Sequence, residues 1–378
     1  MQTPGKTTSE TTPANPLLGE SSFARLQPKV ARAVLQLFFL IAAVLVAISL
    51  SPQQIGFADG PRFADAPTDI DLYNAEIAAM RGGEGYYAAA ARELHESGYP
   101  TASVFNWRTP LPMSLIAQLP EPGGRILIAA AAVLLICCAS VQVARRRGVS
   151  AGVLAALLIF TAVMPCFLPR VYVMPMLWAA VLIGLSLCAY AANWRLAAVA
   201  LGLAALAMRD LAGLYCWIAA IMAVRDRQWK ELGSWCLGFA IYAIFFWLHA
   251  IQVAAFKPAL AIAHDGSWLQ LGGAAFVIAL AQVNSVLLSI PQPFAAIYLA
   301  LALLGLASIR DPALARIALT TCAYVILFAF VGHPFNQYWG ALIAPMLAIG
   351  VALSPGALHD LWAKTKQIKQ ADKAVQAT

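Results

Sequence analysis

Residues 126–147 read ILIAAAAVLLICCASVQVARRR, nineteen residues without a charge followed by three arginines. An α-helix crosses the hydrocarbon layer of a bilayer in about 20 residues, so this run is long enough to span one. Arg145, Arg146 and Arg147 fix its direction, because basic residues gather on the cytoplasmic side. The start of the run then faces outward, and an earlier span must bring the chain there. Residues 33–50 supply it, with Lys29 and Arg32 at the entry. The N-terminus is thus expected in the cytoplasm, and residues 51–123 form a large extracytoplasmic loop.

The rest of the chain repeats this pattern. Apolar runs at about 150–167, 171–191, 195–208, 211–224 and 232–255 alternate with turns, and Arg225, Arg227 and Lys230 mark an inner one. Runs at about 290–309, 315–331 and 338–354 complete ten spans within a range of ten to twelve. Segment 272–288 is assigned to an interfacial or re-entrant helix. If it crossed, Arg310, Arg316 and the lysines of the C-terminal tail would lie on the wrong side. Residues 1–30, rich in Thr, Ser, Pro and Gly, read as a disordered cytoplasmic tail. Residues 31–355 read as one transmembrane domain, and 356–378 as a second cytoplasmic tail.

Composition agrees. Of 378 residues, 61% are hydrophobic and 11% charged, with mean hydropathy +0.73. Soluble domains are about a quarter charged, so this chain needs lipid as its solvent. The expected fold is all-α: a polytopic transmembrane helical bundle whose first outer loop bears juxtamembrane helices. The net charge of +7 lies at span ends and in the tails, which gives no nucleic-acid footprint. The seven cysteines fall in or beside apolar runs and lack zinc spacing, so they read as small buried side chains. No metal or other cofactor is indicated, and no nucleotide-binding loop, zinc-protease helix or nucleophile elbow is present.

Within the loop, Thr68 and Asp69 begin a helix over 70–81 that ends at Gly82-Gly83, and a second runs over 85–97 to Gly98. Asp69 and Asp71 are candidate general bases for an incoming hydroxyl. Asp71, three residues after Thr68, also fits a capping box. Arg209-Asp210 joins two very short apolar runs. Charge at membrane depth is costly, so this turn is either a structural pair or an anion site in which Arg209 grips a phosphate. Trp107 and Arg108 offer a stacking face beside a cation. His333, Asn336, Gln337 and Tyr338 form a polar aromatic turn suited to a sugar or a phosphate. His249 reads as hydrogen-bonded within the bundle, and His264 and Asp265 fall on the same outer side.

The stretches Asp69-Ile70-Asp71-Leu72-Tyr73 and Arg81-Gly82-Gly83-Glu84-Gly85-Tyr86-Tyr87, with the turn Arg209-Asp210-Leu211-Ala212, resemble the GT-C superfamily of membrane glycosyltransferases. The likeness in architecture covers residues 30–355. It implies an enzyme of the bacterial cytoplasmic (inner) membrane that uses a polyprenyl-phosphate-linked sugar. The sugar would pass, with inversion, to a hydroxyl of a glycan, lipid or protein acceptor on the extracytoplasmic face. Asp69 or Asp71 would be the base, with Arg209 and Arg108 or His333 at the phosphate. The acids here are separated by Ile70, unlike the double-acid signature of several branches, which leaves the identity of the base and any metal open. The rival readings are a lipid or glycan flippase or transporter without chemistry, and a scaffold of an envelope-assembly complex.

Overall fold

The computed structural model describes residues 20–51, 68–263 and 267–376. The expected disorder of residues 1–19, and the outer placement of His264 and Asp265, lie outside the described residues. Among the described residues the chain is helical, with a single β-bridge between Leu269 and Val331. In order, the helices are α1 Pro28–Ser49, α2 Asp69–Arg81, α3 Tyr86–Glu96, α4 Pro110–Gln118 and α5 Gly123–Arg147. Next come α6 Val149–Val163, α7 Pro175–Ala191, α8 Arg195–Met208, α9 Gly213–Arg225 and α10 Trp229–Phe256. The chain ends with α11 Gly273–Ala281, α12 Gln292–Ala307, α13 Pro312–Phe330 and α14 Ala344–Gln376.

Nine of the ten expected spans overlap a single α-helix, the third running on into the 3-10 helix Met164–Phe167, while the expected tenth, 338–354, begins inside the 3-10 helix Pro334–Leu342 and continues in α14. The protein is a polytopic helical membrane protein. Six helices have the length and apolar composition to cross a membrane: α1, α5, α6 with its 3-10 extension to Phe167, α10, α13 and the first part of α14. α7, α8 and α12 are apolar but shorter. Segment 272–288 forms the nine-residue α11 and a 3-10 turn at Leu287–Ser289. It packs against the 3-10 helix Pro334–Leu342 and is too short to cross.

Close packing is set by small residues. A Cβ on Gly305 in α12 would sit 1.8 Å from the Gly350 carbonyl oxygen of α14, so these two helices touch backbone to backbone. Gly148 takes φ 89°, which lets α6 leave directly from the end of α5.

The bundle has two distinct ends. At one, Arg146 near the end of α5 bonds the Ala191 carbonyl closing α7 and Asp311 at the start of α13, and the starts of α8, α10 and α13 meet one another. Here Glu231, 2% exposed, accepts from Tyr190 Oη (2.8 Å) and Arg195 Nη1 (2.9 Å). Arg316 lies 4.1 Å above the Tyr190 ring. At the other end the loop helices α2–α4 cover the bundle. Asn74 Nδ2 donates to the Arg170 carbonyl (3.1 Å), and Thr109 Oγ1 to the Ala207 carbonyl (3.0 Å).

Two expectations are corrected. Residues 20–30 are folded: a 3-10 turn at Ser22–Arg25 leads into α1, and Phe23 packs with Leu304, Ala357 and Leu361. Cys137, Cys236 and Cys322 are exposed on the bundle surface. A membrane protein presents apolar residues outward as well as inward, so apolar neighbours did not separate core from lipid face.

Candidate active site

α2 decides which loop acid faces the bundle. Asp69, Tyr73 and Glu76 recur at i, i+4 and i+7, so they share one helical face. Tyr73 and Glu76 are each 2% exposed. Asp71 is rotated about 200° from Asp69, at 100° per residue. Its carboxylate closes the capping box, accepting from the Thr68 N–H (3.0 Å) and Oγ1 (2.7 Å), and its other oxygen pairs with Arg170 (2.5 Å). The Thr68 hydrogen bonds, helped by Arg170, hold the Asp71 carboxyl below the usual range. Such a carboxylate is a poor base.

Asp69 is placed differently. Its Oδ1 accepts from Tyr99 Oη at 2.6 Å, and Oδ2 makes no hydrogen bond among the described residues. Arg108 donates from Nε to Tyr73 Oη (2.8 Å) and from Nη1 to the Phe105 carbonyl (3.2 Å). Tyr86 Oη in turn donates to the Arg108 carbonyl (2.5 Å), which fixes the backbone there. Asp69, Asp210, Tyr73 and Tyr338 all lie within Coulombic range of Arg108. Tyr338 is also within range of Arg209. Burial pushes the Tyr73 and Tyr99 phenols well up, so both remain protonated donors or acceptors.

Arg209 sits at a sunken turn. α8 has 14 residues and α9 has 13; at 1.5 Å per residue each reaches about 20 Å into a layer about 30 Å thick. Both helices begin or end at the arginine-rich end, so their junction falls short of the far surface. Tyr324 Oη holds this turn by donating to the Leu211 carbonyl (2.8 Å). The Arg209 side chain is 6% exposed, its Nε has no hydrogen-bond partner, and its ion partner is Asp210 at 3.4 Å. Buried guanidinium donors left unmatched carry a substantial desolvation cost. An anion supplied from outside would remove it.

Glu76 completes the face. Burial, with Glu93 and Asp69 nearby, pushes its carboxyl up to about 8 despite Arg108. It is therefore a neutral acid at neutral pH, and its Oε2 has no partner.

The remaining expected ligands have partners within the fold. Trp107 is 3% exposed and donates from Nε1 to the Thr101 carbonyl (3.1 Å), so its ring is core and offers no stacking face. His333 stacks on Phe335 at 5.1 Å, and Asn336 Oδ1 accepts the His333 N–H at 2.9 Å. Gln337 is 3% exposed. These three shape the turn that delivers Tyr338. His249 is bonded within the protein, its Nδ1 3.0 Å from Tyr87 Oη. Among the described residues, no three His, Cys, Asp or Glu side chains are grouped to hold a metal ion.

The sequence by itself does not single out Tyr73, Glu76 and Tyr99 as site residues. The i, i+4, i+7 spacing from Asp69 is a signal that could have found the first two. Tyr99 carries no signal, because its place beside Asp69 depends on how the chain returns after α3.

No protein-family profile matches the chain, and no curated protein sequence matches it. Two solved structures are similar to it at a low level. One is ArnT from Cupriavidus metallidurans in the apo state, with TM-score 0.44 and 17% identity, covering 86% of this chain and 60% of that one. The other is the same protein bound to undecaprenyl phosphate, with TM-score 0.47 and 16% identity, covering 90% and 64%. This chain spans less than two thirds of the length of either ArnT chain.

Proposed function

We propose that this protein is a membrane glycosyltransferase that moves a sugar from a polyprenyl-phosphate donor to an acceptor hydroxyl, at the end of the bundle covered by α2–α4. The observation that carries this reading is the buried Arg209 guanidinium, whose Nε makes no hydrogen bond and only a 3.4 Å ion pair with Asp210, set in one electrostatic cluster with Arg108, Tyr338 and the loop acid Asp69. A phosphate on a lipid carrier matches a cation sunk below the membrane surface, and a planar guanidinium suits phosphate geometry. The lipid tail would lie against the apolar surface of the bundle.

In this mechanism Asp69 Oδ2 takes the proton of the acceptor hydroxyl as its oxygen bonds to the anomeric carbon. Tyr99 holds the other carboxylate oxygen and so orients the base. The bond from the anomeric carbon to the phosphate oxygen breaks, and its electron pair leaves with the polyprenyl phosphate. Arg209 and Arg108 offset the charge that grows on that group. Asp210 keeps Arg209 in place, and Tyr338 completes the wall between the two cations. The extracytoplasmic face and the bacterial inner membrane belong to the same proposal, supported by the arginines gathered at the opposite end.

The test is transfer of labelled sugar from polyprenyl-phosphate donors in membranes carrying Asp69→Asn or Asp71→Asn. Loss with the first and retention with the second supports the reading. Full transfer by Asp69→Asn removes the base.

A further inference from the structure

A second group of arginines plays no part in this chemistry. It surrounds a cavity of about 210 Å³ at the other end of the bundle, lined by Arg25, Arg146, Arg147, Arg310 and Ser308. A single water needs only about 10–15 Å³. Two carboxylates, Glu20 and Asp311, also line it, and a third, Asp360, lies within Coulombic range of Arg147, so four cations meet three acids. Asp311 is already committed: Oδ2 accepts from Arg146 Nε (2.6 Å) and Oδ1 from the Ala313 N–H (2.8 Å). Glu20 is exposed, where its field is screened.

The cavity is built rather than incidental. Arg147 is 7% exposed and is held by Ser308, donating to its carbonyl (3.3 Å) and Oγ (3.2 Å). Arg146 Nη2 donates to the Ala191 carbonyl (3.0 Å). The segment before α1 closes over the cavity. The Ser21 N–H donates to Asp360 (2.7 Å), the Ser22 N–H to the Ser308 carbonyl (3.1 Å), and Phe23 is buried beneath. This fixes the backbone of Arg25 at the rim of the cavity, which Arg310 also lines. Both are exposed and neither has an ion pair among the described residues.

We infer that this cavity binds a phosphate-bearing anion, gripped by Arg25 and Arg310 above a positive floor of Arg146 and Arg147. The cavity lies where α5 ends and α13 begins, and the ends of apolar spans border the headgroup layer. Basic pockets between helices at that level take anionic headgroups. The occupant is the phosphate of a lipid such as phosphatidylglycerol, or a soluble phosphate.

The experiment measures the unfolding midpoint of the purified full chain in detergent. Short-chain phosphatidylglycerol, short-chain phosphatidylcholine and inorganic phosphate are added separately. The parent is compared with Arg25→Ala/Arg310→Ala and with a charge-matched control at the same end, Lys230→Ala/Lys366→Ala. The expected result is a saturable rise with phosphatidylglycerol. Affinity should weaken about tenfold for each arginine removed from the cavity, and the control should keep it. An equal rise with inorganic phosphate makes the occupant a soluble anion; a rise with the lipid alone makes it a headgroup. The same affinity in both double variants, or no effect of either anion beyond phosphatidylcholine, overturns the inference. Both mutated side chains are exposed, so the variant should fold, and its midpoint without added ligand checks this.

Discussion

Glu76→Gln should stabilise the protein at neutral pH and flatten its response to pH. The folded chain keeps the Glu76 proton up to about 8, against an ordinary value of 4.5. Between those values the unfolded chain has released a proton that the folded chain retains. Stability from this group is therefore full below about 4.5 and is lost as pH rises towards 8. Each pH unit in that window is worth about 1.4 kcal/mol, so at most about 5 kcal/mol is lost across it and about 3 kcal/mol between pH 5 and 7. Glutamine has the shape of the protonated acid and cannot ionise. The assay is thermal unfolding of parent and variant in detergent from pH 5 to 9. At on the order of 2 °C per kcal/mol, the variant should lead by about 6 °C more at pH 7 than at pH 5. Taking the difference between the two proteins cancels every other titrating group. A difference that does not change with pH, or one that shrinks as pH rises, would refute the burial of a neutral carboxyl at this position.

Other expected outcomes follow from the same geometry. Asp69→Asn should lower sugar transfer by about 10²–10⁴-fold, the usual worth of a general base, with the unfolding midpoint little changed. Asp71→Asn should instead cost about 0.5–2 kcal/mol of stability through the weakened cap and leave turnover largely intact, as paired melting and transfer assays would show. Arg209→Lys keeps the charge but loses the planar fork; a fall in transfer of about 10²-fold or more is expected, and unaltered turnover would remove Arg209 from the phosphate site. Gly305→Ala drives a methyl into the α14 backbone and should destabilise by about 1–3 kcal/mol, read from the midpoint without substrate.

The bundle was legible because long uncharged runs and clustered arginines carry most of a membrane topology. That segment 272–288 does not cross was legible for the same reason: an extra crossing would have stranded Arg310, Arg316 and the tail lysines. The loop helices were legible from their punctuation, Thr68 at one end and Gly82 or Gly98 at the others. α4, which begins at Pro110 within a Pro-rich stretch, was not expected. The site was only partly legible. Arg209 stood out because charge between two short apolar runs is costly. Asp69 and Asp71 looked alike until the helical face was assigned, and then the cap claimed one of them. Trp107, His333 and Asn336 looked like ligands because an aromatic or amide that shapes a turn has the same composition as one that binds a sugar. The cavity of Arg25, Arg146, Arg147 and Arg310 was invisible because its arginines come from three separated segments, and Arg146, Arg147 and Arg310 read as topology markers.

The central claim is that Arg209 and Arg108 hold a lipid phosphate while Asp69 faces the reacting carbon. The most direct measurement is a structure of the full chain with bound polyprenyl phosphate. The account predicts the phosphate within hydrogen-bonding distance of the Arg209 guanidinium, with Arg108 beside it and Asp69 Oδ2 across the space where the sugar would lie. A phosphate seated away from Arg209, with that side chain still paired only to Asp210, would contradict it.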